Sequence, residues 1–259
     1  MTRPKIQTRS ISFTGSQGVP LSARLDYQEN TAPDQYVIVS HCFTCTKQTL
    51  TTARLSRALA GAGMGVLRFD FSGLGESEGE FAASHFTSMV QDIVCAADFL
   101  AEYYHRPSVL IGHSMGGTAS LAASQLASHS LASVKALVTL ASPASPAHVL
   151  HHFGDALPQL KRGDDADIQV AGISYPVRPS FIEDVEAYDM AEQMKNCETP
   201  ILAVTAGNDE LVETVAAQQI LAYTRGAAHQ VTIEAADHLF SDRRHAEQLA
   251  DEVIRWIKR

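Results

Sequence analysis

Short, continuous apolar runs alternate along this chain with longer stretches of helical periodicity. The run Tyr36–Ser40 is typical of a strand that is buried on both faces, whereas residues 86–104 carry apolar side chains along one side of a helix. The predicted strands are 36–40, 65–71, 109–111, 134–140, 200–205 and 230–234, and the predicted helices are 49–60, 86–104, 118–124, 212–223 and 243–258. This alternation predicts an α/β fold, with a mostly parallel, doubly wound sheet and helices on both faces.

Two segments depart from that alternation. Residues 6–14 and 19–27 alternate loosely around a glycine-containing turn, which predicts an antiparallel hairpin at an edge of the sheet. Residues 142–196 lie between two predicted buried strands and are too numerous for a plain loop. We therefore predict a core formed by residues 1–141 and 197–259, with 142–196 inserted as a cap over the carboxyl ends of the strands.

The predicted cap carries more apolar side chains than a purely solvated insertion would. Residues 168–177 predict a small hairpin that turns near Ala171 and Gly172. Phe153 and Phe181 are candidates for lining a substrate pocket, and the other apolar positions are expected to hold the cap against the sheet. Nothing in the cap sequence encodes the physiological substrate in a readable way.

The segment Gly112–Gly116 has the sequence Gly-His-Ser-Met-Gly, which fits the pattern G-x-S-x-G. A buried strand precedes it and a helix of small residues follows it, which is the setting of a nucleophile elbow. In that setting Ser114 is the nucleophile, held at an unfavourable backbone angle that only small neighbours such as Gly112 and Gly116 tolerate. The alternative is a chance Gly-Ser turn between two core elements.

A serine hydroxyl needs a base to accept its proton, and the base needs an orienting partner. His238 follows the last strand, at the end of the sheet where the crevice of an open α/β fold lies, and is the predicted base. Asp209 is the predicted acid that orients His238. The chain order Ser, Asp, His is the one expected when a doubly wound sheet carries the nucleophile elbow at its centre. Glu210 is its main rival. His113 is expected to point away from the site.

The tetrahedral intermediate of acyl transfer needs two hydrogen-bond donors at its oxyanion. The backbone N–H of Met115, at the start of the helix that follows the elbow, is one predicted donor. The other must come from the loop after the strand 36–40, from Phe43 or its neighbour.

Composition and charge exclude several other functions. A net charge of −9 and a pI of about 5.6 argue against an extended basic face for nucleic acid. No stretch is long and apolar enough for a membrane span, and the N-terminus lacks the apolar core of a signal peptide. Four cysteines do not make a disulfide framework, so a reduced, cytoplasmic setting is predicted. Adjacent histidines such as His151 and His152 seldom face one site, so no metal is expected.

The ordered motifs of the chain resemble those of the α/β-hydrolase superfamily, and they cover nearly its whole length. These motifs are His41–Thr44, Phe69–Ser77, Gly112–Gly117, Gly207–Asp209 and Asp237–His238. Residues 40–47 and 68–81 are similar to bacterial hydrolases that are often fused to an OsmC-like peroxide-reducing domain. This chain ends after its last predicted helix, so no such domain is expected in it.

The resemblance implies that Asp70 and Ser77 shape a loop beside the site and are not catalytic. One departure from the family lies in the same region. The family more often has His-Gly-Phe where this chain has His41, Cys42 and Phe43.

These observations predict a serine hydrolase that cleaves a small-molecule carboxylic ester or thioester through an acyl-serine, without a cofactor. The superfamily also carries out peptide and C–C bond cleavage, so the mechanism is better defined than the reaction. The alternative is a redox-linked or non-catalytic partner module that uses Cys42 and Cys45. No feature of the sequence sets the oligomeric state.

Cys42 and Cys45 flank the predicted oxyanion donor Phe43, and two interpretations of them are open. In the first, both are small residues that pack a tight loop. In the second they are a thiol switch, because residues three apart in a turn can approach to disulfide distance. Closing that bond is expected to twist the loop and move the Phe43 N–H, so that oxidation would lower activity.

Overall fold

The structure is a computed structural model that describes residues 4–259. Its strands are β1 (Ile6–Thr14), β2 (Pro20–Gln28), β3 (Tyr36–Ser40), β4 (Gly65–Phe69), β5 (Pro107–His113), β6 (Ala136–Leu140), β7 (Ala166–Val170), β8 (Ile173–Val177), β9 (Ile201–Ala206) and β10 (Ala228–Ile233). Its helices are α1 (Leu50–Gly61), α2 (Phe86–Tyr103), α3 (Met115–Ser124), α4 (Ala156–Lys161), α5 (Pro179–Ala187), α6 (Met190–Met194), α7 (Val215–Tyr223) and α8 (Arg243–Ile257). Short 3₁₀ segments lie at Phe81–Ala83 and Pro146–His152.

Eight of these strands form one sheet in the order β1-β2-β4-β3-β5-β6-β9-β10. The strands from β4 to β10 in that order pair in parallel, while β1 pairs with β2 and β2 with β4 in the antiparallel sense. The predicted α/β-hydrolase architecture and the antiparallel hairpin at the sheet edge are therefore confirmed. Parallel pairing brings the carboxyl ends of β3, β5, β9 and β10 to one edge, where crevices of open α/β sheets lie.

Two apolar layers cover the sheet, one on each face. Val37 and Val39 of β3 lie in the layer that contains the buried side chains of α1 and α8. Ile38, between them, faces the opposite layer, together with buried residues of α2 and α3. Since neighbouring side chains of a strand point to opposite faces, burial on both faces requires the continuous apolar runs seen in the sequence.

The segment 142–196 leaves the sheet after β6 and returns at β9 with its own secondary structure. Strands β7 and β8 form a separate antiparallel pair. They turn at Ala171 and Gly172, both of which have positive φ angles, so the predicted turn position is confirmed. Helices α4, α5 and α6 were not predicted, because helices of five to nine residues are too short to show a clear period in the sequence.

Local hydrogen bonds explain where two predicted elements are shorter than expected. Strand β4 ends at Phe69, after which the Asp70 N–H turns to the Ser22 carbonyl. Helix α7 begins at Val215 rather than at 212, because the Val212 N–H donates to the side chain of Asp209. Within residues 4–259, no helix is both long enough and apolar enough to cross a bilayer.

Candidate active site

Ser114 lies in a sharp turn between β5 and α3, with φ 53° and ψ −128°. Its N–H donates to the carbonyl of Leu140 at 2.8 Å, which ties the turn to the end of β6. A Cβ at Gly112 would collide with the backbone of Gly116, and one at Gly116 would collide with the His41 carbonyl. Only glycine at both positions allows helix, strand and loop to approach so closely. The strained, glycine-flanked turn predicted from the sequence is present.

His238 and Asp209 form a hydrogen-bonded pair beside this turn. His238 Nδ1 lies 2.8 Å from Asp209 Oδ2 and 3.0 Å from Oδ1. Both side chains are largely buried, with 9% of the His238 side chain and 2% of the Asp209 side chain exposed. Asp209 follows β9 and His238 follows β10, so the parallel pairing of these two strands brings the residues together.

Hydrogen bonds keep the Asp209 carboxyl ionised. Burial by itself raises its pKa, but bonds from His238 and from the Val212 and Leu211 N–H groups outweigh burial and hold the pKa below the usual value. An anionic Asp209 fixes His238 as the tautomer that carries its proton on Nδ1 and leaves Nε2 free to accept one.

The rival carboxylates do not reach His238. Glu210 is exposed. Asp237, the neighbour of His238, accepts the Ser241 N–H at 2.7 Å and so stabilises the start of the next turn. Of the acids considered from the sequence, Asp209 is the one that the structure brings to the histidine.

His113 lies behind His238, and its Nε2 is 2.8 Å from the His238 carbonyl oxygen. The two rings are 5.0 Å apart. Burial lowers the pKa of His113 to about 3, so the ring is neutral and Nε2–H is the donor. The expectation that His113 points away from the cavity agrees with its burial. Its hydrogen bond to the backbone of the predicted base could not be foreseen from the sequence.

The loop after β3 carries the second predicted oxyanion donor in a tight turn. The Cys45 N–H donates to the Cys42 carbonyl at 3.1 Å, and Thr44 within the turn has φ 61°. Among residues 4–259, the N–H of Phe43 meets no acceptor. The N–H of Met115, the first residue of α3, has no acceptor within its helix. Both residues line the same cavity as Ser114.

The structure also shows a Cys42–Cys45 disulfide across that turn, with Cα atoms 5.3 Å apart. The interpretation of the pair as two packed, reduced cysteines is therefore wrong. The error arose because cysteine burial and disulfide formation leave the same mark in a single sequence. Cys95 and Cys197 are free.

A buried ion pair anchors the far end of this loop. Asp70 accepts the Lys47 N–H and the Lys47 ammonium group, and both side chains are almost fully buried. Arg68 donates to the Lys47 carbonyl at 2.6 Å. Ser77 Oγ donates to the Asp70 carbonyl at 2.6 Å. Asp70 and Ser77 thus shape the loop beside the site, as the family resemblance implied.

A cavity of about 440 Å³ opens over Ser114. Its lining includes Ser114, Met115 and His238 of the core, the Cys42–Cys45 turn, and several side chains of the segment 142–196. Phe153 lies on its wall. Phe181 does not, because it packs behind Phe153 and Phe43 at ring separations of 5.6 Å each.

Two histidines on the cavity wall were missed from the sequence. His148 and His152 both line the cavity, and His148 Nε2 lies 2.8 Å from the Leu211 carbonyl. Their spacing of four residues does not identify them, because residues i and i+4 do not share a face in the 3₁₀ segment that carries both. Among the described residues, no cluster of histidine, cysteine and carboxylate side chains is arranged to hold a metal ion.

Comparison with known proteins places these features in a family. A family model described as "Serine aminopeptidase, S33" matches residues 31–162, which is half of the chain and includes the elbow. The chain belongs to this family of α/β hydrolases. It is accordingly a hydrolytic enzyme. A search of curated proteins finds no match to this chain.

Solved structures agree with this assignment. The esterase domain of a Rhodothermus marinus protein is 32% identical, with a TM-score of 0.78 over 96% of this chain and 97% of that one. Est1E from Butyrivibrio proteoclasticus, solved with ferulic acid bound, has a TM-score of 0.77 at 18% identity, over 95% and 97% of the two chains. Mouse alpha/beta hydrolase domain-containing protein 10 has a TM-score of 0.76 at 16% identity, over 96% and 98%. The two more distant structures show the shared fold.

The hydrogen bond from His113 to the His238 backbone leads to a first prediction. His113→Leu removes the donor, and kcat for ester hydrolysis is expected to fall about tenfold, the effect of roughly one hydrogen bond. The pH profile of kcat/KM should shift as well, since the backbone of the predicted base, His238, is less well held. His113→Gln retains an N–H donor and is expected to keep most of the activity and the wild-type profile. Equal losses in both variants would show that the hydrogen bond is not what matters.

Buried neutral histidines also predict how stability depends on pH. Burial lowers the pKa of His113 and of His41, so below about pH 6.5 the unfolded chain binds more protons than the native state. The free energy of unfolding should then fall with falling pH, by up to ~1.4 kcal/mol per pH unit for each histidine. Urea unfolding across this range measures the slope. His113→Gln cannot titrate, and a slope as steep as that of the wild type would contradict the assignment.

Proposed function

We propose that this hydrolase is a serine esterase that cleaves small carboxylic esters or thioesters. Ser114 attacks the acyl carbon while His238 accepts its proton at Nε2, and Asp209 orients the ring. The N–H groups of Phe43 and Met115 hold the oxyanion. His238 then returns the proton to the leaving alcohol or thiol, and water releases the acyl group from Ser114 by the same route.

The observation that carries the proposal is the Asp209–His238 hydrogen bond beside the strained Ser114 turn. Ser114 and His238 line one cavity and Asp209 hydrogen-bonds to His238, so three residues far apart in the chain come together in the order nucleophile, acid, base. A chance Gly-Ser turn would have no reason to face a paired histidine. Membership of a hydrolase family and 32% identity to an esterase domain support catalysis over a non-catalytic partner role.

The cavity wall favours an uncharged, apolar acyl group. Side chains such as Val149, Phe153 and Ile168 line it, and no carboxylate does among the described residues. An aminopeptidase needs a negative group to receive the substrate's ammonium terminus, because an unpaired buried charge is costly. Esters and thioesters lack that charge. A cavity wall without a carboxylate therefore favours ester or thioester cleavage over the aminopeptidase activity for which the family model is named.

We also propose that residues 142–196 act as a cap that selects the acyl group. Side chains from its 3₁₀ segment, Pro146–His152, and from the β7–β8 pair line the same cavity as Ser114. The cap is held at two points of the site, since His148 donates to the Leu211 carbonyl and the Tyr175 hydroxyl lies 3.3 Å from the Thr44 carbonyl.

Substitution of the three proposed catalytic residues tests the mechanism. Ser114→Ala and His238→Ala should each lower kcat for a p-nitrophenyl ester on the order of a thousandfold or more, because the residues act as a unit. Asp209→Asn should be similarly severe. Glu210→Gln is the matched control at the adjacent acid and should stay near the wild-type rate, since that side chain is exposed. Turnover by Ser114→Ala close to the wild-type rate would end the proposal.

The cavity wall predicts how acyl preference changes. Phe153→Ala enlarges the cavity, so kcat/KM across a series of p-nitrophenyl esters should move toward longer chains. Phe181→Ala removes a similar volume behind the wall. It should cost about 3 kcal/mol of stability with a smaller change in preference. If Phe153→Ala folds and its preference matches that of the wild type, the cavity is not the acyl site.

A further inference from the structure

We infer that Cys42 and Cys45 form a redox-active pair, a thiol–disulfide exchange site in the wall of the substrate cavity. Its reactants are dithiols and disulfides, and its state sets the position of the Phe43 N–H. The second part of this inference rests on the proposed esterase function. The first does not.

The disulfide closes the turn that presents Phe43. The bond and the Cys45 N–H to Cys42 carbonyl hydrogen bond span the same four residues. Within the turn, Thr44 holds a left-handed φ of 61°, which a β-branched side chain adopts rarely and at a cost. Such a conformation persists only where the surroundings enforce it. The covalent closure between the flanking cysteines is such a constraint.

The pair is open to small reactants from the cavity. Both cysteines line the cavity wall, beside Ser114 and Met115. Cys42 is 4% exposed, whereas Cys45 is partly exposed, so an incoming thiolate reaches the Cys45 sulfur more easily. The free cysteines lie elsewhere: Cys197 is buried, and burial raises the pKa of the Cys95 thiol to about 11, which keeps it unreactive.

The exchange balances with a dithiol as the only co-reactant. One thiolate of the dithiol attacks Cys45 Sγ, the Cys42–Cys45 bond breaks, and Cys42 leaves as a thiolate. The second thiol of the reductant then attacks its own bound sulfur, which closes the reductant's disulfide and releases Cys45. Two electrons and two protons pass to the cysteine pair. A disulfide oxidant reverses both steps.

Reduction is expected to move the Phe43 N–H, because it removes the covalent bond that closes the turn. The reduced turn keeps the Cys45 N–H to Cys42 carbonyl hydrogen bond, the Tyr175 contact with the Thr44 carbonyl, and the packing of the Phe43 ring on neighbouring aromatic rings. The ring contacts hold the Phe43 side chain and the Lys47–Asp70 ion pair holds the end of the loop, whereas the disulfide is the covalent constraint on the backbone of the turn. Thr44 can relax toward an extended conformation, which carries the Phe43 N–H away from Ser114. The closed disulfide coincides with a free N–H at the cavity wall, so the oxidised form is the competent one. This direction is opposite to the expectation from the sequence, in which oxidation lowers activity.

The test compares the whole protein in its two redox states. The wild type is equilibrated with reduced or oxidised dithiothreitol, freed of the reagent by anaerobic gel filtration, and its thiols are counted by alkylation and mass spectrometry. Ester hydrolysis is then measured. Reduction should expose two additional thiols, at Cys42 and Cys45, and lower kcat by about tenfold to a hundredfold with a smaller effect on KM, as expected for a misplaced oxyanion donor. Reoxidation should restore the rate.

Two variants separate this effect from a general effect of reductant. Cys45→Ser should have the low rate of the reduced wild type under both conditions. Cys95→Ser, a free cysteine away from the cavity, should keep the full redox response. If the pair stays reduced in oxidised dithiothreitol, the exchange site is wrong. If the thiols appear and the rate does not change, the link to Phe43 is wrong. Absence of ester turnover in every oxidised sample would instead count against the proposed function, while the thiol count would still decide the exchange site.

Discussion

The left-handed backbone at Ser114 is the constraint on which the rest of the site depends. A non-glycine residue at φ 53° is unfavourable, and the conformation is retained because β5, β6 and α3 meet around it. Gly112 and Gly116 allow that meeting, since any side chain there would collide with backbone. The turn places the serine beyond the end of its strand and at the start of a helix, where backbone N–H groups have no acceptor within the helix.

The parallel sheet positions the other residues of the site. The loops that carry Phe43, Asp209 and His238 follow β3, β9 and β10, and parallel strands end at one edge. Each loop is then fixed by its own polar contacts. Lys47 donates to Asp70 in the loop of Phe43. The Leu211 and Val212 N–H groups donate to Asp209 in the second loop, and His113 donates to the His238 carbonyl in the third. The chemistry is thus placed on loops, and the rigidity comes from buried groups behind them.

Much of this arrangement follows from the sequence because it depends on local patterns. Apolar runs predicted the strands, and the pattern G-x-S-x-G between a strand and a helix predicted the turn at Ser114. Ser114 and His238, which line the cavity, and Asp209, which hydrogen-bonds to His238, were each predicted from a place after a predicted strand. The contribution of His113 was not predictable, because a hydrogen bond to a distant carbonyl leaves no periodic trace. Glu210 could be set aside only once the side chains had positions.

The segment 142–196 was the hardest part to derive. Its helices are short, and their partners are set by packing against the core rather than by propensity. Phe153 and Phe181 look alike in the sequence, yet one lies on the cavity wall and the other behind it. The Cys42–Cys45 pair raises the same difficulty, because spacing permits both a packed pair and a bonded one.

We propose that Ser114 is an activated nucleophile in a cavity shared with His238. Covalent labelling by a fluorophosphonate probe, read by intact mass and by peptide mapping, tests this role. We expect a single adduct on the peptide that contains Ser114, with labelling strongly slowed in His238→Ala and absent in Ser114→Ala. Labelling of another serine, or an unlabelled wild type that still hydrolyses esters, would contradict it.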